Sequence, residues 1–389
     1  MSAIRAVQVP QAELAPQEEE EGLDLLLLVP TLALVALGVA MVFSASIPMA
    51  VLNESEDIYY YLKREILFAV IGLSAMWGMS RIAVKSLERW AGTLLFLSTT
   101  LLVLVLFVGI EVNGARSWLP IPGTELRFQP SELAKLVLVI AAARYFAKFP
   151  MGIPNRRRAL PPLVVLGATA GLVAIEPDMG TAAVMVMAMM IYFHVAGMRL
   201  PQLAGAGAVG LLGAGVMIWQ HPYQLQRLIG FFKRTELPLE EGYQATQSLI
   251  ALGSGGLTGR GYCGSVWKYF YLPAAITDSI LPVIGEELGL IATWTVLGLF
   301  MFLVWRGLAI AGRAPDRFSG LVATGITCLI GVQALLNIAV ATHTVPSTGV
   351  PLPFVSYGGS SLVLSLIGVG LLLNVSRNQM RRTAAAEGQ

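Results

Sequence analysis

The chain of 389 residues is 56% hydrophobic and only 13% charged, with a formal net charge of +2. Soluble globular chains carry roughly 25% charged residues, so this composition excludes an ordinary water-soluble fold and points to lipid as the solvent. The near-neutral balance gives no electrostatic case for nucleic acid, and the two cysteines, Cys263 and Cys328, make neither a metal-ligand pattern nor a disulfide framework.

In chain order, residues 1–22 are polar and acidic, ending in the run Glu18 to Glu21, with Arg5 as their only basic residue. That head is wrong for a secretory signal and reads as a disordered cytoplasmic tail. Crossing about 30 Å of hydrocarbon takes about 20 apolar helical residues. Ten stretches approach that length, near residues 24–46, 65–80, 90–110, 131–149, 160–176, 179–197, 201–219, 280–305, 317–342 and 358–376. The expected fold is all-α: a polytopic membrane domain over residues 23–382 with ten transmembrane helices, one large extracytoplasmic loop at 220–279, and a cytoplasmic tail at 383–389. Lysine and arginine set the orientation, because they collect on the cytoplasmic side. With the N-terminus inside, the inner segments hold fifteen of them, whereas the short outer loops hold four: Lys63, Arg64, Arg116 and Arg127. Both termini then face the cytoplasm.

Polar residues at membrane depth carry the information in such a chain. The segment 111–130 runs into Pro130 and Ser131, which suit a helix start. Glu132 and Lys135 follow at i and i+3, on one face. They read either as a self-neutralising pair or as two groups facing a water-filled substrate cavity. In loop 220–279, Gly253, Gly255, Gly256, Gly259, Gly261 and Gly264 make a flexible loop or expose amides to an anionic ligand, with Arg260 and Lys268 as cations for a pyrophosphate. Asp278, at the mouth of the eighth span, reads as a helix cap, as a catalytic carboxylate, or as both. Glu286 and Glu287 lie about two turns deeper, where two adjacent acids cannot both face lipid. Asp178, after Pro177, reads as a structural cap for the sixth span. The three histidines are scattered, and no P-loop or dinucleotide fingerprint is present, so neither a histidine-metal site nor ATP coupling is supported.

Four segments, SWLPIPGTELRFQPSELAKL, YQATQSLIALGSGGLTGRG, FYLPAAITDSILPVIGEELGL and VPSTGVPLPFVSYGGSSL, together resemble the SEDS family (shape, elongation, division and sporulation) over residues 24–382. MVFSAS at 41–46, VNGAR at 112–116 and GEELG at 285–289 look more like the FtsW division branch than the RodA elongation branch. The resemblance implies a ten-span peptidoglycan glycosyltransferase of the inner membrane that uses lipid II. It implies Asp278 as the catalytic residue, maps the family's intramembrane Glu and Lys onto Glu132 and Lys135, and implies a class B penicillin-binding protein, a transpeptidase, as partner. Ala274, Ile276 and Ser279 stand where the family carries an acid, a histidine and an aromatic residue. On this expectation Asp278 takes the proton of the attacking sugar hydroxyl, while Lys135, Arg116 and Lys268 stabilise the departing pyrophosphate. A divalent cation, Mg2+ or Mn2+, would serve the same end, and the sequence marks no site for one. Two rival readings are a lipid-linked sugar flippase or transporter, which needs polar lining through both leaflets, and a non-catalytic scaffold for the transpeptidase.

Overall fold

The computed structural model describes residues 23–52, 57–112, 115–153, 155–220 and 243–387, with a few isolated positions between 221 and 242. The expected tail at 1–22 and most of the first part of the expected loop therefore lie outside the described residues. Among the described residues there are eleven helices: α1 (Leu25–Leu52), α2 (Tyr60–Arg81), α3 (Val84–Val108), α4 (Pro130–Ala147), α5 (Arg156–Ile175), α6 (Met179–Val195), α7 (Leu200–Gln220), α8 (Tyr243–Ser254), α9 (Ile280–Gly312), α10 (Arg317–Ala341) and α11 (Gly359–Glu387). Seven of them, α1, α3, α5, α7, α9, α10 and α11, are long and apolar enough to cross a membrane. The other long helices fall short for visible reasons. Charges interrupt α2 (Lys63, Arg64, Glu65) and α4 (Glu132, Lys135, Arg144), and α6 has 17 residues.

One feature corrects the all-α expectation. Residues read as a loop form a small antiparallel sheet, β1 (Ile110–Val112), β2 (Ala115–Pro120) and β3 (Arg127–Phe128), in the order β1-β2-β3. Trp118 stands opposite Ile110, and Leu119 opposite Phe128. Such cross-strand apolar pairs are the unit of sheet stabilisation, which lets strands this short hold together.

The helix ends are tied at two faces. On one, the Arg306 guanidinium holds Asp24 at 2.8 Å, and Ser376 donates to the same carboxylate at 2.7 Å. On the other, called here the loop face, lie the sheet and the segments 255–279 and 343–358. Lys63 hydrogen-bonds Asp57 there and, with the Tyr59 amide, holds that carboxyl below the usual carboxylate range. The centre of the bundle is α10 and α11, whose apolar stretches are mostly buried, whereas that of α7 is not buried among the described residues. Within this centre α10 packs against α4, α6 and α9, and α11 packs along α2. A helix covered on all sides by protein is where polar side chains can be carried at depth.

Candidate functional site

Proline lacks the N–H that a first turn leaves unpaired, so Pro130 opens α4 without cost, and Gln129 takes the cap position. This start places Glu132 and Lys135 in the first two turns. The Lys135 ammonium lies 2.8 Å from Glu132 Oε1, and both side chains are buried. It also donates to Gln333 Oε1 of α10 at 2.7 Å. The Gln333 amide in turn donates to the Pro351 carbonyl at 3.0 Å and to Ser361 Oγ at 3.3 Å. A cavity of about 30 Å³ opens beside the pair, with Glu132, Lys135, Gln333 and Ser365 at its polar end and Ile326 and Leu364 among its apolar walls. That volume holds about two waters. The pair is thus self-neutralising, and it borders a cavity.

Asp278 sits on the same scaffold one turn away. Asn337 of α10 donates to the Asp278 carbonyl at 2.9 Å and to the Val350 carbonyl at 2.8 Å. Gln333 and Asn337 are four residues apart on α10, a rise of about 6 Å. Successive turns of one helix face therefore hold the Asp278 backbone and the Lys135 ammonium. The Asp278 side chain is buried, with Oδ1 accepting from Thr277 Oγ1 (3.1 Å) and Oδ2 from Gln244 Nε2 of α8 (3.4 Å). The cap position of α9 belongs to Ser279, which makes no side-chain cap bond. Asp278 is not among the residues lining the 30 Å³ cavity.

The remaining expected residues fall on both sides of this centre. Asp178 caps α6 as expected, accepting from the Thr181 amide at 3.0 Å, and Gln129 Nε2 reaches its other oxygen at 2.9 Å. Arg116 is exposed on β2, at the loop face. The sheet that carries it is clipped to the α5–α6 turn by Ser117 Oγ, which donates to the Glu176 carbonyl at 3.2 Å.

Lys268 lies elsewhere. Its side chain is fully buried, and its ammonium donates to Glu287 Oε1 (2.8 Å), Ser44 Oγ (2.9 Å) and the Cys263 carbonyl (2.9 Å). An ammonium has three N–H donors, so these three acceptors close it off from any ligand. The glycines named with it also have a different use. Gly289 (φ +78°) breaks α9 into two halves. The chain after α8 folds against that break. The Arg260 and Gly261 amides donate to the carbonyls of Glu286 (3.0 Å) and Glu287 (2.9 Å), and the Leu290 and Ile291 amides donate to those of Gly256 (2.9 Å) and Leu257 (3.2 Å). Irregular backbone is tolerated at depth only where protein satisfies it, and here each break satisfies the other. A side chain at Gly259 would place Cβ 2.2 Å from the Glu287 carbonyl oxygen, so glycine is required by close approach. Both acids are buried, as two adjacent carboxylates at that depth must be. Glu286 accepts from Ser265 Oγ (2.5 Å) and the Val266 amide (2.9 Å), with Arg260 at 3.4 Å.

The sequence reading missed Gln333 and Asn337. Their signal was present: two amide side chains four residues apart in the otherwise apolar run of α10. Among the described residues no group of three or more His, Cys, Asp or Glu side chains is placed to hold a metal ion, so they form no protein cage for a divalent cation.

The architecture is that of a polytopic membrane protein with a polar centre under its loop face. Comparison with known proteins makes the class specific. Residues 24–381 match the FtsW/RodA/SpoVE family, described as "Cell cycle protein". The chain belongs to this family. It is 40% identical over 357 residues to stage V sporulation protein E of Bacillus subtilis, covering 91% of this chain and 97% of that protein. It is 42% identical over 356 residues to the probable peptidoglycan glycosyltransferase FtsW of Trichlorobacter lovleyi, covering 91% and 93%. Among solved structures, a chain from "Structural coordination of polymerization and crosslinking by a peptidoglycan synthase complex" superposes with a TM-score of 0.74 at 33% identity, covering 92% of this chain and 98% of that one. The rod shape determining protein RodA of Thermus thermophilus superposes with a TM-score of 0.68 at 28% identity, with the same coverage.

Proposed function

We propose that this protein is a peptidoglycan glycosyltransferase of the bacterial inner membrane that polymerises lipid II into glycan strands, in division-type cell-wall synthesis. The observation that carries the reading is the pairing of Asp278 with the Glu132–Lys135 pair on successive turns of α10, through Asn337 and Gln333. Family membership and the FtsW relatives support it. In this reading ten helices, α1–α7 and α9–α11, cross the membrane, with the ends opposite the loop face and both termini in the cytoplasm, an orientation supported by the excess of Lys and Arg at those ends. The loop face is then extracytoplasmic.

In this reading the Asp278 carboxylate accepts the proton of the 4-hydroxyl of the acceptor N-acetylglucosamine. The freed oxygen attacks the anomeric carbon of the donor N-acetylmuramic acid from the face opposite the leaving group. The bond from that carbon to the pyrophosphate oxygen breaks, and undecaprenyl pyrophosphate departs with inversion. Lys135, oriented by Glu132 and Gln333, stabilises the negative charge that develops on the leaving group, and Arg116 meets the headgroup at the rim. The product strand goes to a class B penicillin-binding protein that cross-links it, a partnership in keeping with the polymerisation and crosslinking named for the structural neighbour.

Asp278→Asn tests the assignment, because asparagine keeps the size and an acceptor oxygen and loses the basicity. Polymerisation of lipid II by the purified variant should fall by about 10²-fold or more, the usual worth of a general base. Near-normal polymerisation would defeat the catalytic assignment.

A further inference from the structure

Lys268, Glu287 and Ser44 form a closed ring. The lysine donates to both partners, and Ser44 Oγ donates to Glu287 Oε1 (2.6 Å) while accepting from Lys268 Nζ (2.9 Å). The Cys263 amide (3.0 Å) and the Ser265 amide (3.4 Å) complete the acceptor side of Glu287. Three parts of the chain meet there: α1, the returning segment after α8, and the deep end of the first half of α9. No atom of the Lys268 or Glu287 side chains is exposed, so nothing in the ring reaches a substrate.

Its position gives it a different importance. Asp278 ends a stretch that begins at Lys268 and contains little regular structure. Phe270 (φ +67°) and Ala274 (φ +53°) in that stretch, and Cys263 (φ +62°) just before it, hold left-handed backbone without being glycine. Residues of that kind persist only where the surroundings over-determine them. The far end is held by the Asn337 bond to the Asp278 carbonyl and by the Tyr357 amide, which donates to the Ile276 carbonyl at 2.9 Å. The near end is held by the ring and, just before it, by Glu286, which accepts from the Ser265 hydroxyl and the Val266 and Trp267 amides. With both ends fixed, the strained stretch presents Asp278 in one place; with the ring opened, Lys268 loses its anchor, and the stretch can relax toward ordinary φ values and carry Asp278 with it.

We infer that the Ser44–Glu287–Lys268 ring is a positioning device that fixes Asp278 for catalysis. The inference rests on Asp278 being the general base, and it assigns Lys268 to alignment in place of pyrophosphate binding. Two variants of the full-length protein in proteoliposomes test it with lipid II as substrate. Lys268→Met/Glu287→Leu removes both charges and keeps the volume, and Ser44→Ala removes the bridging hydroxyl. A misplacement of about 1 Å costs ~10²-fold in turnover, so the double variant should lose about that much in kcat and Ser44→Ala about 10-fold. KM should stay within about twofold for both, because the groups proposed to bind substrate are untouched. A wild-type kcat in the double variant overturns the inference, and so does a raised KM with kcat retained, which returns Lys268 to substrate binding. If the double variant does not accumulate in the membrane, Ser44→Ala decides by the same two criteria. Asp278→Asn run in parallel separates the two claims: activity in that variant defeats the general-base reading itself, whereas its loss beside unimpaired ring variants defeats only the ring.

Discussion

Two buried lysine–carboxylate pairs, Lys135 with Glu132 and Lys268 with Glu287, are matched in length at 2.8 Å and differ in what surrounds them. Lys268 has three protein acceptors and no exposure. Among the described residues Lys135 has two, Glu132 and Gln333, and it borders a cavity. The chemistry of the partners is the same, so pairing alone does not tell a structural ion pair from a ligand-binding one. The count of donors against acceptors does. A closed pair belongs to the protein, and a pair with a donor over and a void beside it can take another acceptor.

The largest effect should come from breaking the closed pair on one side only. Lys268→Met leaves Glu287 buried without its cation, and such unpaired charges typically cost about 3–5 kcal/mol. Thermal unfolding of the purified variant should show a lower transition, and Lys268→Met/Glu287→Leu should recover most of the loss. Additive losses in that cycle would show that the two charges do not interact. Lys135→Met should be milder, about 1–3 kcal/mol, since the cavity lets water reach Glu132. Its effect on polymerisation should be large in comparison, so plotting stability against activity for the two lysine variants would place them on opposite sides of the diagonal. Next comes Gln333→Leu, which removes one acceptor of Lys135 and the amide that donates to the Pro351 carbonyl and to Ser361. A loss of about 1 kcal/mol per bond is expected, and the melting curve of Gln333→Leu checks it. Arg116→Ala, at an exposed strand position, should stay within about 0.5 kcal/mol in stability. A few-fold rise in KM for lipid II is the expected sign of its role at the rim.

How far the sequence could be read follows the same divide. Glu132 and Lys135 stand three apart on one helix, so helical geometry alone brings them together. Asp278 stands out in the sequence as the aspartate of its loop, at a span's mouth, and its catalytic role is carried by the family resemblance; of the two sequence readings the cap fails, because Ser279 takes the cap position. Lys268 was assigned to pyrophosphate because its partner lies 19 residues away across a break in α9 that periodicity does not reveal. The glycines of 253–264 read in sequence either as a flexible loop or as exposed amides for a ligand. In the fold, Gly255, Gly256, Gly259 and Gly261 lie against Gly285 to Ile291, and the second glycine cluster in GEELG was the available clue. The sheet was missed because two of its strands have three residues or fewer, below the length at which alternation can be seen.

The ring around Glu287 also bears on how the chain is made. Its two charged members are 19 residues apart, so they neutralise each other almost as soon as both have left the ribosome. The neutral member, Ser44, precedes Glu287 by 243 residues, which at about 5–20 residues per second is roughly 12–50 s of synthesis. During that wait the ring's member on α1 is only a hydroxyl, and Ser44 can bond within its own helix, as the Thr31 and Ser46 hydroxyls do. The Glu132–Lys135 pair follows the same rule over three residues. In both of these buried pairs each charge thus travels with a near neighbour, and the long-distance closure is left to a group that crosses lipid cheaply, so the insertion machinery need not handle any of the four charges alone.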